Sequence, residues 1–505
     1  MIFAAFGVDL NYKNYEKIGE TGNMKKTKIV CTIGPSTDNK ETLRNMILAG
    51  MDVARVNFSH STHDQQLTRI NMLKEVRDEL GLPIALLADT KGPEIRLGTF
   101  SASKVELKVG QQFTLTTKDV IGDNSIVSVS FDGLPHDVSR GARILIDDGL
   151  IELMVESCTD TDIVCTVVNG GTVSSNKGVN VPGIHLSLPF ISSHDRADLR
   201  FIVENNFDCI ATSFTRTAED ILKVRDELER LGDTGIQIIA KIENSDGVAN
   251  IDEILRVADG IMVARGDLGV EIPIEDIPVI QKKLIKKAFL SGKLVITATQ
   301  MLESMISNPR PTRAEITDVA NAIYDGTSGI MLSGETAAGN YPVEAVKTMA
   351  RIAERTEKDI NYKSRFRNYP HNDLYNITNA ISYSACSAAH DLSATCIITV
   401  TETGATARTI AKNRPACQTV SCSTSDRVLR QLNLAWGTYP LKLDEQDNTD
   451  ALFARAVEVT QNAGIIKDGD LVVITAGSPV GVPGTTNMMK VHVVGDPIQS
   501  QPREK

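Results

Sequence analysis

Residues 236–269 read IQIIAKIENSDGVANIDEILRVADGIMVARGDLG, and two apolar runs in this stretch stop abruptly at charged residues spaced two apart. The pairs are Lys241 with Glu243, then Arg265 with Asp267. In an extended strand positions i and i+2 face the same way, so each run is expected to deliver a cation and an anion to one side of its C-terminal tip. The amphipathic stretch VANIDEILRVA between them suits the helix of one β-to-α-to-β step. Neighbouring parallel strands would then present Glu243 and Asp267 side by side.

Working outward, the same kind of run recurs as KIVCTIG (28–34), MDVARVNFS (51–59), IALLADTKG (84–92), DCIATSF (208–214), KLVITATQ (293–300) and GIMLSGE (329–335), which with the opening pair makes eight. Amphipathic stretches such as ILKVRDELERLG and IQKKLIKKAFLSG lie between most of them and carry apolar residues at helical spacing. Eight strand-helix units predict an α/β fold built on a (β/α)8 TIM barrel, with an open doubly wound sheet as the alternative. Polar side chains gather at the C-terminal ends of six runs: Arg55, Asn57 and Ser59; Asp89, Thr90 and Lys91; Lys241 and Glu243; Asp267; Thr299 and Gln300; Ser333 and Glu335. Strand ends are where a chain meets water, which accounts for any one of these. Their recurrence points to the active-site face of a barrel.

The stretch from Lys91 to Phe190 is too long for a loop, and QQFTLTT, NSIVSVSF, ARILIDDGLIELMVES and DIVCTVVN alternate as strands between GD, DG and GG turns. It predicts a small inserted β domain over 92–190 that could act as a lid, with the catalytic barrel occupying 24–91 and 191–362. Past Arg365 the strands and helices alternate without closing, which predicts an open-sheet α/β domain over 363–505. MKKTKIVCTIG starts a strand pattern at once from Met24. Residues 1–23 therefore read as an extension, either ahead of the natural start or as a short surface appendage.

Bulk properties exclude several classes. A net charge of −11 argues against a nucleic-acid surface, which needs surplus Lys and Arg. Eight cysteines lack any C-x-x-C or framework spacing, which suits a reduced cytoplasm. No apolar run is long enough to span a bilayer, and MIFAAFGVDL lacks the features of a secretory signal.

Glu243 and Asp267, with no nearby His or Cys, suit a hard cation such as Mg²⁺, which takes one or two carboxylates and completes its shell with water and substrate oxygens. The alternative is a pair of surface ion pairs worth about 0–1 kcal/mol each. Lys241 beside a metal would face an anion, either a transferring phosphoryl group or an enolate oxygen. Arg55, Arg96 and Lys177 read singly as solvated charges, and together with a metal as a polyphosphate clamp. No G-x-x-x-x-G-K-[ST] and no kinase-type glycine loop is present.

KIVCTIGPS, ARVNFSHSTH, ADTKGPEIRLG, NKGVNVPG, IIAKIENSDG, VARGDLGVE, VITATQMLESM, PTRAEITDVANA and MLSGETAAGNYPVEAV, in this order, resemble the successive signatures of the pyruvate kinase family. The resemblance implies a (β/α)8 barrel with an inserted β-barrel domain and a C-terminal α/β domain, and transfer of the phosphoryl group of phosphoenolpyruvate to ADP, giving pyruvate and ATP, the last step of glycolysis. By position it implies Lys241, Arg55, Thr299 and Ser333 as catalytic, with Ala264, Arg265, Gly266, Asp267, Thr299 and Lys241 around phosphoenolpyruvate. Arg55, His60, Arg96 and Lys177 would hold the nucleotide. Glu243 and Asp267 would hold Mg²⁺ (or Mn²⁺), and Asn57, Ser59, Asp89 and Thr90 would hold K⁺. Glu94 sits where members of the family that need K⁺ have Glu. Thr401, Thr403, Gly404 and Thr406 occupy the place of a sugar-phosphate effector loop, although Ala405 replaces a frequent basic residue and GSPVGVPGTTN (477–487) has no Arg or Lys. A sugar-phosphate or nucleotide effector and weak regulation stay open there. The resemblance also implies a cytoplasmic homotetramer that binds neither nucleic acid nor membrane. Two rivals are a Mg²⁺-dependent C–C lyase acting on phosphoenolpyruvate or pyruvate, and a non-catalytic binding protein of the same fold. A lyase has no use for the lid or for the clamp of Arg96 and Lys177.

Overall fold

The computed structural model describes residues 25–59, 61–368, 376–479, 484 and 486–498. The expected extension at 1–23 and His60 lie outside the described residues. The first three strands are β1 (Lys28–Thr32), β2 (Val53–Asn57) and β3 (Ala85–Asp89). The inserted region holds β4 (Ile95–Arg96), β5 (Val105–Leu107), β6 (Gln112–Thr116), β7 (Ile126–Ser128), β8 (Arg143–Ile146), β9 (Ile151–Cys158), β10 (Asp162–Asn169), β11 (Gly171–Val173) and β12 (Gly178–Asn180). Then follow β13 (Cys209–Thr212), β14 (Gln237–Ile242), β15 (Gly260–Ala264), β16 (Leu294–Ala298) and β17 (Gly329–Leu332). The last group is β18 (Cys396–Val400), β19 (Gln418–Ser423), β20 (Thr438–Lys442), β21 (Leu471–Gly477) and β22 (Thr486–Val493).

All eight runs read from the sequence are strands of one closed barrel, ordered β1-β17-β16-β15-β14-β13-β3-β2. Every residue of β1, β3, β14 and β15 is buried. Parallel strands covered on both faces carry continuous apolar runs for that reason. Several helices that follow start at capping boxes, in which Thr62 pairs with Gln65, Ser192 with Asp195, Thr217 with Asp220 and Thr312 with Glu315. Each box satisfies two backbone N–H groups of the first turn and so fixes where the loop ends.

The insertion is a seven-stranded sheet, β4-β12-β8-β9-β10-β6-β7, with β5 and β11 paired beside it. Its first and last strands meet: Leu97 bridges Val129, Gly98 N donates to Ser128 O at 2.7 Å and Ser130 N to Arg96 O at 2.9 Å. The sheet therefore curls closed around its own core, which includes Phe113, Leu115, Leu153 and Ile163. The C-terminal sheet has the order β20-β19-β18-β21-β22, parallel except for β22. All eight cysteines are free. Among the described residues no helix is long and apolar enough to cross a membrane.

The chain divides into two compact units, residues 1–88, 207–209 and 288–505, and residues 89–206 and 210–287. Within the first, a buried cationic joint ties the N-terminal end of β1 to the C-terminal sheet. Lys26 Nζ donates to the carbonyls of Pro415, Ala416 and Cys417, while its N–H and that of Thr27 donate to the Glu357 carboxylate. The ammonium lies 5.2 Å from the ring centroids of both Tyr362 and Trp436, and the Arg414 guanidinium stacks 4.4 Å over Trp436. Burial lowers the Lys26 pKa to about 8. Elsewhere in the same unit, Asp208 accepts from Arg430 Nε at 2.8 Å and from the N–H of Leu86 at 2.9 Å.

Removing the Lys26 ammonium would leave three carbonyls without their donor. Lys26→Met is expected to destabilise this joint by about 2–3 kcal/mol. Trp436 is the single tryptophan, so its fluorescence in a urea titration reads the joint directly. An unchanged midpoint would show that the carbonyls find other donors.

Candidate active site

In the second unit the chemistry centres on the tip of β14. The Lys241 ammonium has three acceptors around it: Ser213 Oγ at 2.6 Å, Glu243 Oε1 at 2.8 Å and Asp89 Oδ1 at 2.9 Å. Asp89 and Glu243 are each 1% exposed. Glu243 Oε2 accepts the N–H of Phe214 at 2.6 Å, and Phe214 takes a left-handed backbone, φ 56°, to deliver it. Beyond Glu243 the strand ends because Asn244 caps the next helix, its Oδ1 accepting from Gly247 N.

Burial raises the Glu243 pKa to about 7. Lys241 pulls it down, and the Asp267 and Asp89 carboxylates push it further up. Glu243 Oε1 accepts no hydrogen bond even with Lys241 Nζ beside it as an ion pair. An orphaned, buried carboxylate oxygen coupled to a second carboxylate is a donor set that fits a hard divalent cation. Among the described residues no group of three or more His, Cys, Asp or Glu is placed to hold a metal, so these two carboxylates would bind it with water and substrate.

The second charged pair departs from the strand expectation. β15 stops at Ala264, and Arg265–Glu271 is a short helix with Asp267 in its first turn. Arg265 and Asp267 therefore do not share a face as strand residues would. Arg265 Nη1 donates instead to Gln281 Oε1 at 3.3 Å. An acidic residue in a first turn meets the free N–H groups there, a local preference that overrides the apolar run.

The basic residues of the insertion are engaged. Arg96 forks onto Glu94 at 2.7 and 2.8 Å and also donates to Asn176 O, while Lys91 pairs with Glu94 at 2.9 Å and Lys177 with Asp147 at 2.7 Å. Burial pushes the Glu94 pKa up, but hydrogen bonds from Arg96 and Lys91 outweigh it and hold the carboxyl below its usual range. Thr90 N–H donates to Ala211 O, and its hydroxyl accepts from Ser213 N at 3.3 Å.

In the first unit Arg55 Nη1 donates to Thr32 Oγ1 at 2.7 Å, and Asn57 Oδ1 accepts the N–H of Ser59 at 3.0 Å. Thr299 and Gln300 both have positive φ, 70° and 54°, a strained setting for a β-branched residue. Thr299 Oγ1 donates to Ala298 O. Glu335 is buried and accepts from Ser333 N at 2.7 Å and Leu302 N at 3.0 Å, so it fixes the turn that carries Ser333. In the C-terminal sheet Thr401 Oγ1 accepts from Gly404 N, Thr406 Oγ1 hydrogen-bonds Thr486 Oγ1, and Arg408 Nη2 donates to Thr403 O. Arg408 thus supplies a cation at a loop that the sequence pattern left without one.

Sequence reasoning missed Ser213, the pairing of Asp89 with Lys241, and the bracing role of Glu335. The signal for Ser213 was present, since the apolar run of DCIATSF gives way to Thr212 and Ser213 near its C-terminal end.

The chain is similar to known proteins over most of its length. The family model for the pyruvate kinase barrel domain matches residues 24–346, and that for the pyruvate kinase alpha/beta domain matches 379–492. A pyruvate kinase of Clostridium acetobutylicum is 49% identical over 472 residues, covering 93% of this chain and all of the relative. Those of Geobacillus stearothermophilus and Bacillus licheniformis are each 50% identical, covering 94% of this chain and 81% of theirs. With both family models matched in order and half of all positions shared with these relatives, the chain belongs to the pyruvate kinase family.

Proposed function

We infer that this protein is a phosphotransferase that moves the phosphoryl group of phosphoenolpyruvate to ADP, giving pyruvate and ATP. The observation that carries this reading is the buried Lys241 ammonium, held between Asp89 and Glu243, with Asp267 coupled to the same carboxylate. Phosphoryl transfer asks for fixed positive charge around a metaphosphate-like transition state, and Lys241 supplies it from the tip of a rigid strand. Arg55, buried within β2 of the first unit, would be a second cation in this reading. Glu243 and Asp267 would hold Mg²⁺ (or Mn²⁺), which when bound supplies charge neutralisation at phosphoryl and enolate oxygens.

Arg265, Gly266, Ala264 and Thr299 line the substrate carboxylate and phosphate in this reading, and Arg96, Lys177, Arg55 and His60 take the nucleotide. Arg96 would bind phosphate while still braced by Glu94. The enolate left after transfer takes a proton by way of Thr299 and Ser333, whose hydroxyls act through water because neither is acidic alone. Asn57, Ser59, Asp89 and Thr90 would hold K⁺. The loop at Thr401, Thr403, Gly404 and Thr406, with Arg408 across it, would take a phosphorylated effector, and the active form would be a cytoplasmic homotetramer.

The direct test is production of ATP and pyruvate from phosphoenolpyruvate and ADP with Mg²⁺; no turnover in the presence of K⁺ would end this reading. Lys241→Met is expected to lower kcat by about 10³-fold or more while Mn²⁺ binding persists. Near-normal turnover would take Lys241 out of the mechanism.

Glu94→Lys is expected to relieve the K⁺ requirement by placing a fixed cation at that site. Because the change also removes the partner of Arg96, the KM for ADP should rise in the same variant. Unchanged K⁺ activation would overturn the assignment of Glu94.

A further inference from the structure

We propose that Ser213 is a positioning residue for Lys241, and that its hydroxyl is the acceptor Lys241 releases when a substrate oxyanion arrives. The inference rests on the phosphotransfer reading above. An ammonium has three protons, and three oxygens already stand within 2.9 Å of Lys241 Nζ, the hydroxyl that it hydrogen-bonds and the two carboxylates that it pairs with as ions. To reach a phosphoryl oxygen the lysine must let one of them go. Two of the three are buried carboxylates, which hold an ammonium more strongly than a neutral hydroxyl does. Ser213 is the neutral one. Exchanging a hydroxyl acceptor for an anionic oxygen turns a hydrogen bond to a neutral group into an ion pair and so adds Coulombic attraction.

The placement of Ser213 is built for this exchange. Its Oγ lies 2.7 Å from Thr90 O and 3.2 Å from Asp89 Oδ1, so its single proton goes to the nearer carbonyl and its lone pairs face Lys241. Its N–H donates to Thr90 Oγ1. Gly92, at φ +71°, packs so closely that a Cβ there would come within 2.8 Å of Ser213 Cβ. The next residue, Phe214, sits in the left-handed region to aim its N–H at Glu243 Oε2. One turn therefore orients both the lysine and the carboxylate.

The test is calorimetric titration of phosphoenolpyruvate, with Mg²⁺ and without ADP, into wild type, Ser213→Ala and Ser213→Cys. Without the hydroxyl the free protein has no bond to lose, so Ser213→Ala should bind about three- to tenfold tighter, the thiol variant should lie between, and kcat should fall. A merely structural role would weaken binding in step with thermal stability. Unchanged or weaker binding by Ser213→Ala with an unshifted Tm would overturn the proposal and mean that Lys241 releases a carboxylate instead. If Ser213→Ala lowers the Tm, the near-isosteric Ser213→Cys decides by the same criterion. Wild type that neither binds nor turns over phosphoenolpyruvate would instead refute the underlying phosphotransfer reading.

Discussion

A lysine ammonium buried against two carboxylates sets the terms for the site around it. Lys241, Asp89 and Glu243 together carry more negative than positive charge in a place where water cannot screen it. Burial first, and then the Asp267 and Asp89 carboxylates, raise the Glu243 pKa to about 7 against the pull of Lys241. Such a cluster is tolerable when something cationic completes it, and Asp267 nearby deepens the same demand. The barrel meets that demand by rigidity. Strands buried on every residue, followed by capped helices, leave each tip little freedom to relax away from its neighbour.

The barrel was legible because its signal repeats. Eight apolar runs, each followed by a helical pattern, leave few topologies open, and the polar tips identified the working face. Lys241 with Glu243 came through for the same reason, since i and i+2 do converge at the end of a strand. Arg265 and Asp267 were placed by that rule too, and there it failed. Backbone N–H groups at the start of a helix compete with strand geometry, and a window reading V-A-R-G-D-L-G does not say which wins. Ser213 and the pairing of Asp89 with Lys241 escaped because they depend on which strand tips become neighbours, which hydrophobic periodicity does not encode.

Charged residues that sequence reading treats as solvated or as ligand-facing turn out to serve the protein first. Arg96 is braced by Glu94, Lys177 by Asp147, and Arg408 closes over its own loop. Each is held in a defined geometry by a partner that a polyanion would have to accommodate or displace. Fixed cations cost less to use than free ones, because the side-chain entropy has been lost already. The joint at Lys26 follows the same logic without any ligand, with a cation spent on three carbonyls to join two parts of one fold.

The inserted sheet closes through the hydrogen bonds between the extensions of β4 and β7, and the barrel closes on itself. Closure has a consequence for solubility. A sheet without free edges offers no row of unpaired N–H and C=O groups to a neighbouring chain, which is the usual seed of runaway strand association. Among the described residues the larger sheets leave open margins only at β20 and β22 of the C-terminal sheet. Strand-to-strand contact between copies, whether ordered assembly or aggregation, is thereby steered to that sheet and away from the parts of the chain that carry Lys241.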